Sequence, residues 1–157
     1  MDKATGKEIE ADCVALSHAF SYHLDQRDYL SMVALFAPNG VFVRTGVRLE
    51  GREKILETMS QRPANQFTRH VTTNFHFTLV DHDTARAVLY NMSYFAFTDS
   101  KPPFDYEPQR MMLLGFLDTY IRTPEGWRIL ERDARPLMVP PELRSRLPAA
   151  AFAGSDA

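Results

Sequence analysis

Residues 69–80 read RHVTTNFHFTLV, and apolar and polar side chains alternate along this stretch. Successive side chains of a β-strand point to opposite faces of the sheet, so a period of two predicts a long strand. The largely apolar face carries Val71, Thr73, Phe75, Phe77 and Leu79. The polar face carries His70, Thr72, Asn74, His76 and Thr78. We expect the polar face to lie beneath the helices and the apolar face to point outward.

Further strands and helices are predicted on both sides of this stretch. Strand patterns lie at Val41–Arg44, Ala85–Phe97, Met111–Arg122 and Trp127–Arg132. Helical periodicity predicts helices at Lys7–Gln26, Tyr29–Phe36 and Arg52–Gln61, with a short one at Glu142–Arg146. Turns are predicted at Ala37–Gly40 and Gly46–Gly51. Helices followed by strands joined through short turns are typical of an α+β domain with helices on one face of the sheet.

Composition limits the classes of partner. The 157 residues show no break or linker, so a single domain over 1–157 is predicted. A net charge of −2, without a run of Lys or Arg, argues against nucleic acid. The single cysteine, Cys13, excludes an internal disulfide and a cysteine-based metal site. No apolar run reaches the ~20 residues that span a bilayer, and residues 1–12 are charged, unlike a secretory signal. We expect a cytoplasmic protein with no membrane partner.

His70 is the strongest candidate for chemistry. Imidazole titrates near neutral pH and serves as a general base, and a carboxylate on its second nitrogen improves it. Asp25 lies on the first predicted helix, on one side with His18, Tyr22 and Tyr29. We predict that this side faces a pocket in which Asp25 meets His70 and Tyr22 binds substrate. A core histidine satisfied by the fold is the alternative.

Three further polar residues are predicted to reach the same pocket. Arg132 ends the last predicted strand and could bind an enolate, a carboxylate or a leaving anion, or could pair with Glu131 or Asp133. Asn91 could donate to a developing oxyanion, or could be paired with the backbone. Arg44 is a weaker version of the same anion-binding prediction.

Asn74 and Phe116 complete the predicted substrate-binding set. Asn74 shares the predicted face of His70, and Phe116 belongs to an apolar segment that suggests an aromatic or polycyclic ligand. No metal is predicted, because His70 and His76 are six residues apart and therefore about 20 Å apart along a strand.

The outer face of the predicted sheet is too apolar to stay in contact with water. It is expected to carry Phe75, Phe77, Val88, Tyr90 and Tyr94. We therefore predict a homo-oligomer that forms through this face, and leave open whether it is a dimer or a trimer.

Four stretches together resemble the SnoaL-like family of the nuclear transport factor 2-like superfamily. They are residues 22–29, 35–42, 69–74 and 122–129; the resemblance covers about 8–136 and leaves 137–157 as a tail. It implies a cone-shaped, strongly curved, mostly antiparallel sheet with N-terminal helices on its concave face. In the family's dehydratases a helix aspartate and a strand histidine remove a proton in an elimination. Asp25 and His70 fall on these two positions, and Arg132 falls on an arginine used by a dehydrochlorinase of the family.

The predicted function is therefore a cofactor-independent lyase or isomerase that acts on a small apolar substrate. Leu24 and Arg44 stand where family dehydratases carry substrate-reading tyrosines, so the resemblance implies a reaction type and leaves the substrate open. A non-catalytic binding domain, or the small subunit of a ring-hydroxylating dioxygenase, is the alternative. Residues 101–109 or the tail could close the pocket, which the sequence does not decide.

Overall fold

The computed structural model describes residues 1–105 and 110–152. The helices are α1 (Lys3–Gln26), α2 (Tyr29–Ala34), α3 (Gly51–Ser60) and α4 (Pro141–Arg144), with a 3₁₀ helix at Ala149–Phe152. The strands are β1 (Phe36–Arg44), β2 (Val47–Glu50), β3 (Gln66–Val80), β4 (Thr84–Phe97), β5 (Met111–Thr123) and β6 (Gly126–Met138). Residues 106–109, within the stretch predicted as a possible closing loop, and the last five residues of the tail lie outside the described residues.

The six strands form one sheet in the order β2-β1-β6-β5-β4-β3. Every neighbouring pair is antiparallel except β1 and β6, which run parallel. The predicted α+β class with a mostly antiparallel sheet is thereby confirmed. Among the described residues, no helix is long and apolar enough to cross a membrane.

Helix α1 lies against the inner face of the sheet and is defined at both ends. The Asp2 side chain accepts a hydrogen bond from the Thr5 N–H at the start, which satisfies one of the free N–H groups of the first turn. The helix ends at Arg27, whose backbone is left-handed with φ 61°. Its buried residues recur at helical spacing and are Ile9, Cys13, Ser17, Phe20, Ser21 and Leu24. These residues join the inward side chains of the sheet in one core.

Both turns predicted around β1 are wrong in extent. The segment predicted as a turn at Ala37–Gly40 belongs to β1, where the pairing with β6 shifts register between Phe36 and Val41. An irregular strand of this kind tolerates Pro38 because no regular ladder bond is needed there. The second turn is only Thr45-Gly46, both with positive φ, so Val47–Glu50 pairs with β1 as strand β2. Strand β2 was not predicted, because the hairpin turn is shorter than the spacing of Gly46 and Gly51 suggested.

The alternation predicted for β3 is wrong beyond Thr73. Asn74 adopts φ 56°, and the pairing with β4 shifts register between Thr73 and His76. A bulge of this kind adds one residue and exchanges the two faces of the strand. His70 and Thr72 therefore point inward before the bulge, whereas Phe75 and Phe77 pack against the core after it. Asn74 and His76 are exposed, contrary to the predicted face.

Candidate active site

The structure brings Asp25 and His70 together at the end of α1. Asp25 lies in the last turn of the helix, and His70 lies on the part of β3 that precedes the bulge. Asp25 Oδ1 is 2.6 Å from His70 Nδ1, and Asp25 Oδ2 accepts the backbone N–H of His70 at 2.8 Å. The side chains are only 11% (His70) and 7% (Asp25) exposed. This two-point contact holds the carboxylate and the imidazole in one orientation.

Two neighbouring residues hold the carboxylate in place. Thr68 Oγ1 donates to Asp25 Oδ1 at 2.9 Å and accepts from Arg62 Nη2 at 3.0 Å. Arg62 Nη1 donates to the carbonyl of Leu24 at 3.2 Å. Burial raises the pKa of Asp25, but the hydrogen bonds and charge of His70, together with Thr68, outweigh burial and hold that pKa below its ordinary value. Asp25 is therefore an ionised carboxylate, and it is the acceptor in each of its hydrogen bonds.

The hydrogen bonds of Asp25 assign the tautomer of His70. A carboxylate can only accept, so the imidazole nitrogen facing it, Nδ1, carries a proton. In the neutral ring the other nitrogen, Nε2, then has a free lone pair. No described residue occupies Nε2 with a hydrogen bond. His70 is therefore oriented as a base whose proton-accepting atom is available.

His70 forms part of the wall of a cavity of about 220 Å³ between the helices and the concave face of the sheet. Most of the wall is apolar, with Phe20, Leu24, Phe42, Phe95 and Phe116 among its members. The polar members are Arg44, Thr45, Arg62, Gln66, Thr68, His70 and Ser93. Two open concavities of about 530 Å³ also lie on the surface: one near Phe67 and Phe104 contains neither His70 nor Asp25, and one beside Tyr22 reaches both from the outer side. The small cavity, which joins an apolar wall to a few convergent polar groups, is the candidate active site.

Arg132 lies outside the cavity, contrary to the predicted role in anion binding. Its side chain is fully buried, with Nε 2.9 Å and Nη2 2.5 Å from the two oxygens of Asp118. Nη2 also donates to Ser17, and only Nη1 lacks a partner among the described residues. The rings of Phe20 and Phe116 lie on the guanidinium, 4.4 and 4.7 Å from its carbon. Its partner is Asp118, which was not among the predicted partners. The two residues pair because they are register neighbours on adjacent strands and both point inward.

Asn91 also lies beneath the cavity wall and does not line it. Its Nδ2 donates to Thr72 at 2.9 Å, and its Oδ1 accepts from Ser93 at 3.0 Å. Thr72 in turn bonds Ser21 on α1 at 2.7 Å. This fully buried amide ties β3, β4 and the helix together. Ser93, the register partner of His70, presents its side chain to the cavity instead.

Two predicted substrate-binding residues are on the surface. Tyr22 is 62% exposed, because the buried face of α1 runs through Phe20, Ser21 and Leu24 and leaves Tyr22 outside. Asn74 is exposed because the β3 bulge turns it outward. Arg44 and Phe116 do line the cavity. Among residues 1–105 and 110–152, no group of three potential metal ligands is found.

Three polar residues of the cavity wall, Arg62, Thr68 and Ser93, were not predicted as site residues. Thr68 lies two residues before His70 and points to the same face of β3, so a predicted strand beginning at Gln66 would have revealed it. Ser93 is the residue of β4 that pairs with His70 and also faces inward. Arg62 follows the end of α3, in a segment without periodicity, and no pattern marked its burial.

A mostly antiparallel sheet with helices on one face is the fold of cystatin-like, nuclear transport factor 2-like domains. Residues 8–133 match the family model of the SnoaL-like domain, and the chain belongs to this family. The comparison with curated proteins gives no match.

Several solved structures are similar to the chain. A candidate aromatic ring hydroxylase from Novosphingobium aromaticivorans is 22% identical, with a TM-score of 0.71 over 83% of this chain and 90% of that one. A candidate scytalone dehydratase from the same species is 18% identical, with a TM-score of 0.72 over 86% and 89%. A hexachlorocyclohexane dehydrochlorinase is 12% identical, with a TM-score of 0.68 over 82% and 85%. At these identities the likeness shows the fold alone.

Proposed function

We propose that the protein is a cofactor-independent lyase of the dehydratase type that acts on a small, largely apolar substrate. The observation that carries the proposal is the buried His70–Asp25 pair at the wall of an apolar cavity, with Nε2 of His70 free. Membership of the SnoaL-like family, and similar structures named as a candidate scytalone dehydratase and a dehydrochlorinase, support the same class.

The proposed reaction is an elimination. His70 Nε2 takes a proton from a carbon that is acidified by a neighbouring carbonyl. The electron pair of the broken C–H bond forms the new C=C bond, and the bond from the adjacent carbon to hydroxide breaks. The departing hydroxide takes the proton from the imidazolium and leaves as water, which restores His70. Asp25 keeps Nδ1 protonated throughout and stabilises the imidazolium. An isomerase would use the same pair to return the proton to another carbon.

The surroundings of the pair favour such a proton transfer. The apolar wall displaces water, which strengthens the electrostatic interaction of Asp25 with an imidazolium. The carboxylate is already fixed by Thr68 and by the backbone of His70, so it needs no rearrangement when the positive charge develops.

The test is a screen of β-hydroxy and β-chloro carbonyl compounds on aromatic or alicyclic frames, run in D₂O. Absorbance of the conjugated product reports elimination, and mass spectrometry reports exchange of the acidic C–H. His70→Ala is expected to lower the rate by about 100-fold or more, since general base catalysis contributes about 10²–10⁴. His76→Ala is the matched control, because His76 is an exposed histidine on the same strand. Full turnover by His70→Ala on any substrate found would end the proposal.

A second candidate is a non-catalytic role, as a binding domain or as the small subunit of a ring-hydroxylating dioxygenase. The similar structure named as a candidate aromatic ring hydroxylase favours it. Tagged protein that co-purifies in fixed ratio with a Rieske-type large subunit, and shows no exchange of carbon-bound protons, would support this candidate over the lyase.

We also propose that copies of the chain associate through the outer face of the sheet. The exposed apolar residues there are Val71, Val88, Tyr90 and Leu117. Phe75 and Phe77, which were predicted to belong to this face, point into the core. Light scattering after size-exclusion chromatography should show an oligomer that Tyr90→Lys converts to a monomer. Tyr22→Lys alters an exposed tyrosine on α1 and should leave the oligomer intact.

A further inference from the structure

The charged members of the cavity wall are of one sign. Arg44 and Arg62 both line the cavity, and no Asp or Glu is among its described lining residues. Asp25 contacts the wall from behind, through Thr68 and His70. Two guanidinium charges and one carboxylate leave a local charge of +1 beside a neutral His70. An apolar cavity with uncompensated positive charge is unusual unless an anion completes it.

Arg62 is a buried cation without a carboxylate partner. It is only 8% exposed, and its hydrogen bonds go to the Leu24 carbonyl and the Thr68 hydroxyl. Arg62 forms no ion pair with any of the described residues. Burial lowers the pKa of Arg62, and its interactions with Tyr29 and with Asp25 oppose this effect without outweighing it. The neutral partners orient the guanidinium, and Asp25, reached through the Thr68 hydroxyl, balances part of the positive charge of the two arginines.

Arg44 reaches the same cavity from β1. The residue as a whole is exposed at the rim, whereas its side chain lines the cavity beside Phe42 and Ala134. Its backbone pairs with β2 and β6, but its side chain forms no hydrogen bond and no ion pair with the described residues. Packing of its guanidinium against the wall, and then the charge of Arg62, lower the pKa of Arg44. Arg44 therefore adds a second cation at the rim of the cavity, where solvent and an entering ligand both reach it.

We propose that Arg44 and Arg62 form an anion-binding subsite, and that the ligand of the cavity is a small apolar molecule that carries a carboxylate. This inference rests on the proposed function and names its substrate class. The planar guanidinium fork matches a carboxylate, and the local charge of +1 matches a monoanion better than a dianionic phosphate. The cavity of about 220 Å³ leaves room for a ring or a short chain beyond the carboxylate.

The subsite is joined to the base by the hydrogen bonds already described. Arg62 bonds Thr68, Thr68 bonds Asp25, and Asp25 bonds His70. A carboxylate held by the two arginines would therefore orient the rest of the ligand relative to His70 Nε2. Anchoring a remote group in this way contributes to the rate by fixing the reacting atoms in place.

The test measures binding without turnover. Isothermal titration calorimetry compares 3-phenylpropanoate with 3-phenylpropanamide, and hexanoate with hexanamide, at millimolar concentration. Wild-type protein is expected to bind at least one acid about 100-fold more tightly than its amide, from two charge-assisted contacts. Arg44→Gln should reduce the preference to about tenfold. Arg48→Gln removes an exposed arginine on the neighbouring strand and should leave the preference unchanged.

His70→Gln separates this inference from the proposed reaction. It removes the base but leaves both arginines, so the preference for the acid should persist while elimination is lost. If no elimination is found but the acid preference and its loss in Arg44→Gln are observed, the subsite stands and the proposed reaction falls. A wild-type protein that shows no acid preference in either pair, whether it binds both members or neither, overturns the subsite. So does a preference that Arg44→Gln leaves intact.

Discussion

Replacing Asp25 by Asn probes the pair that the proposed function depends on. The carboxylate accepts three hydrogen bonds, from Thr68 Oγ1, His70 Nδ1 and the His70 backbone N–H. An amide has one accepting oxygen, and its NH₂ group must face at least one of these donors. Leaving one buried donor unsatisfied costs about 1–3 kcal/mol, so Asp25→Asn should lower the free energy of unfolding by that amount.

The same substitution should also abolish the base. If His70 changes to the tautomer in which Nδ1 accepts the amide N–H, the ring proton lies on Nε2. Nε2 can then no longer take a proton from a substrate. Turnover on any substrate found should fall by about 10²–10⁴, the usual contribution of a general base. The fold should be retained, because the rest of the cavity wall is unchanged.

The stability difference should depend on pH in a defined direction. Since the native pKa of Asp25 is held below its ordinary value, the unfolded chain binds the proton first as the pH falls. The stabilisation is therefore complete above about pH 4, the ordinary pKa of Asp, and is lost as the pH falls through the lower native pKa. The gap between wild type and Asp25→Asn should thus be constant near neutrality and should shrink in acid.

Urea unfolding followed by far-ultraviolet circular dichroism, repeated from pH 7 downward, measures this gap. Asp12→Asn, which removes an exposed carboxylate from the same helix, is the control for loss of charge. Equal stability of wild type and Asp25→Asn at pH 7 would refute the reasoning. A gap that stays the same size well below pH 4 would refute the assignment of Asp25 as a native carboxylate.

Three other predictions test the surroundings of the site. Asp118→Ala should lower the free energy of unfolding in urea by about 3–5 kcal/mol, because it leaves the buried guanidinium of Arg132 unpaired; the double substitution Asp118→Leu with Arg132→Met should recover much of that loss. Burial raises the pKa of the Cys13 thiol to about 12, so Ellman's reagent should leave it unmodified at pH 8 until the protein is unfolded in guanidinium. Asn74→Val should lower the midpoint of thermal unfolding by placing a branched side chain at φ 56°, whereas Asn74→Gly should not; loss of turnover in Asn74→Gly would contradict its placement outside the cavity.

The positions of the strands and of α1 follow from local pattern. Alternation over residues 69–73 and apolar spacing along α1 are properties of the chain itself, and the structure confirms the elements they predict. The bulge at Asn74 is different. Asn adopts positive φ several-fold more often than most residues, but positive φ is still uncommon for it, so Asn74 alone does not predict an inserted position. One residue out of step was enough to misplace Phe75, Phe77 and Asn74.

The polar residues of the interior show the same limit. Arg132 and Asn91 were correctly expected to point inward, but an inward side chain has a choice of partners that the sequence does not rank. Asp118 is 14 residues from Arg132 along the chain and lies directly opposite it on the adjacent strand. Opposite charge and proximity make these two residues an ion pair in the core, so the arginines that line the cavity are Arg44 and Arg62. No sequence pattern predicted the position of Arg62.

By itself, the sequence determined the fold family, the order of the helices and of every strand except β2, and the residue types available for proton transfer, because these depend on short-range spacing and on motifs read in order. Only the tertiary structure decided that Asp25 and His70 lie 2.6 Å apart, that Arg132 is sequestered by Asp118, and that two arginines face the cavity. These outcomes depend on the register of distant strands and on the rotation of α1 over the sheet. Such contacts join residues more than a hundred positions apart, for example Ser17 with Asp118 and with Arg132, and no local periodicity encodes them.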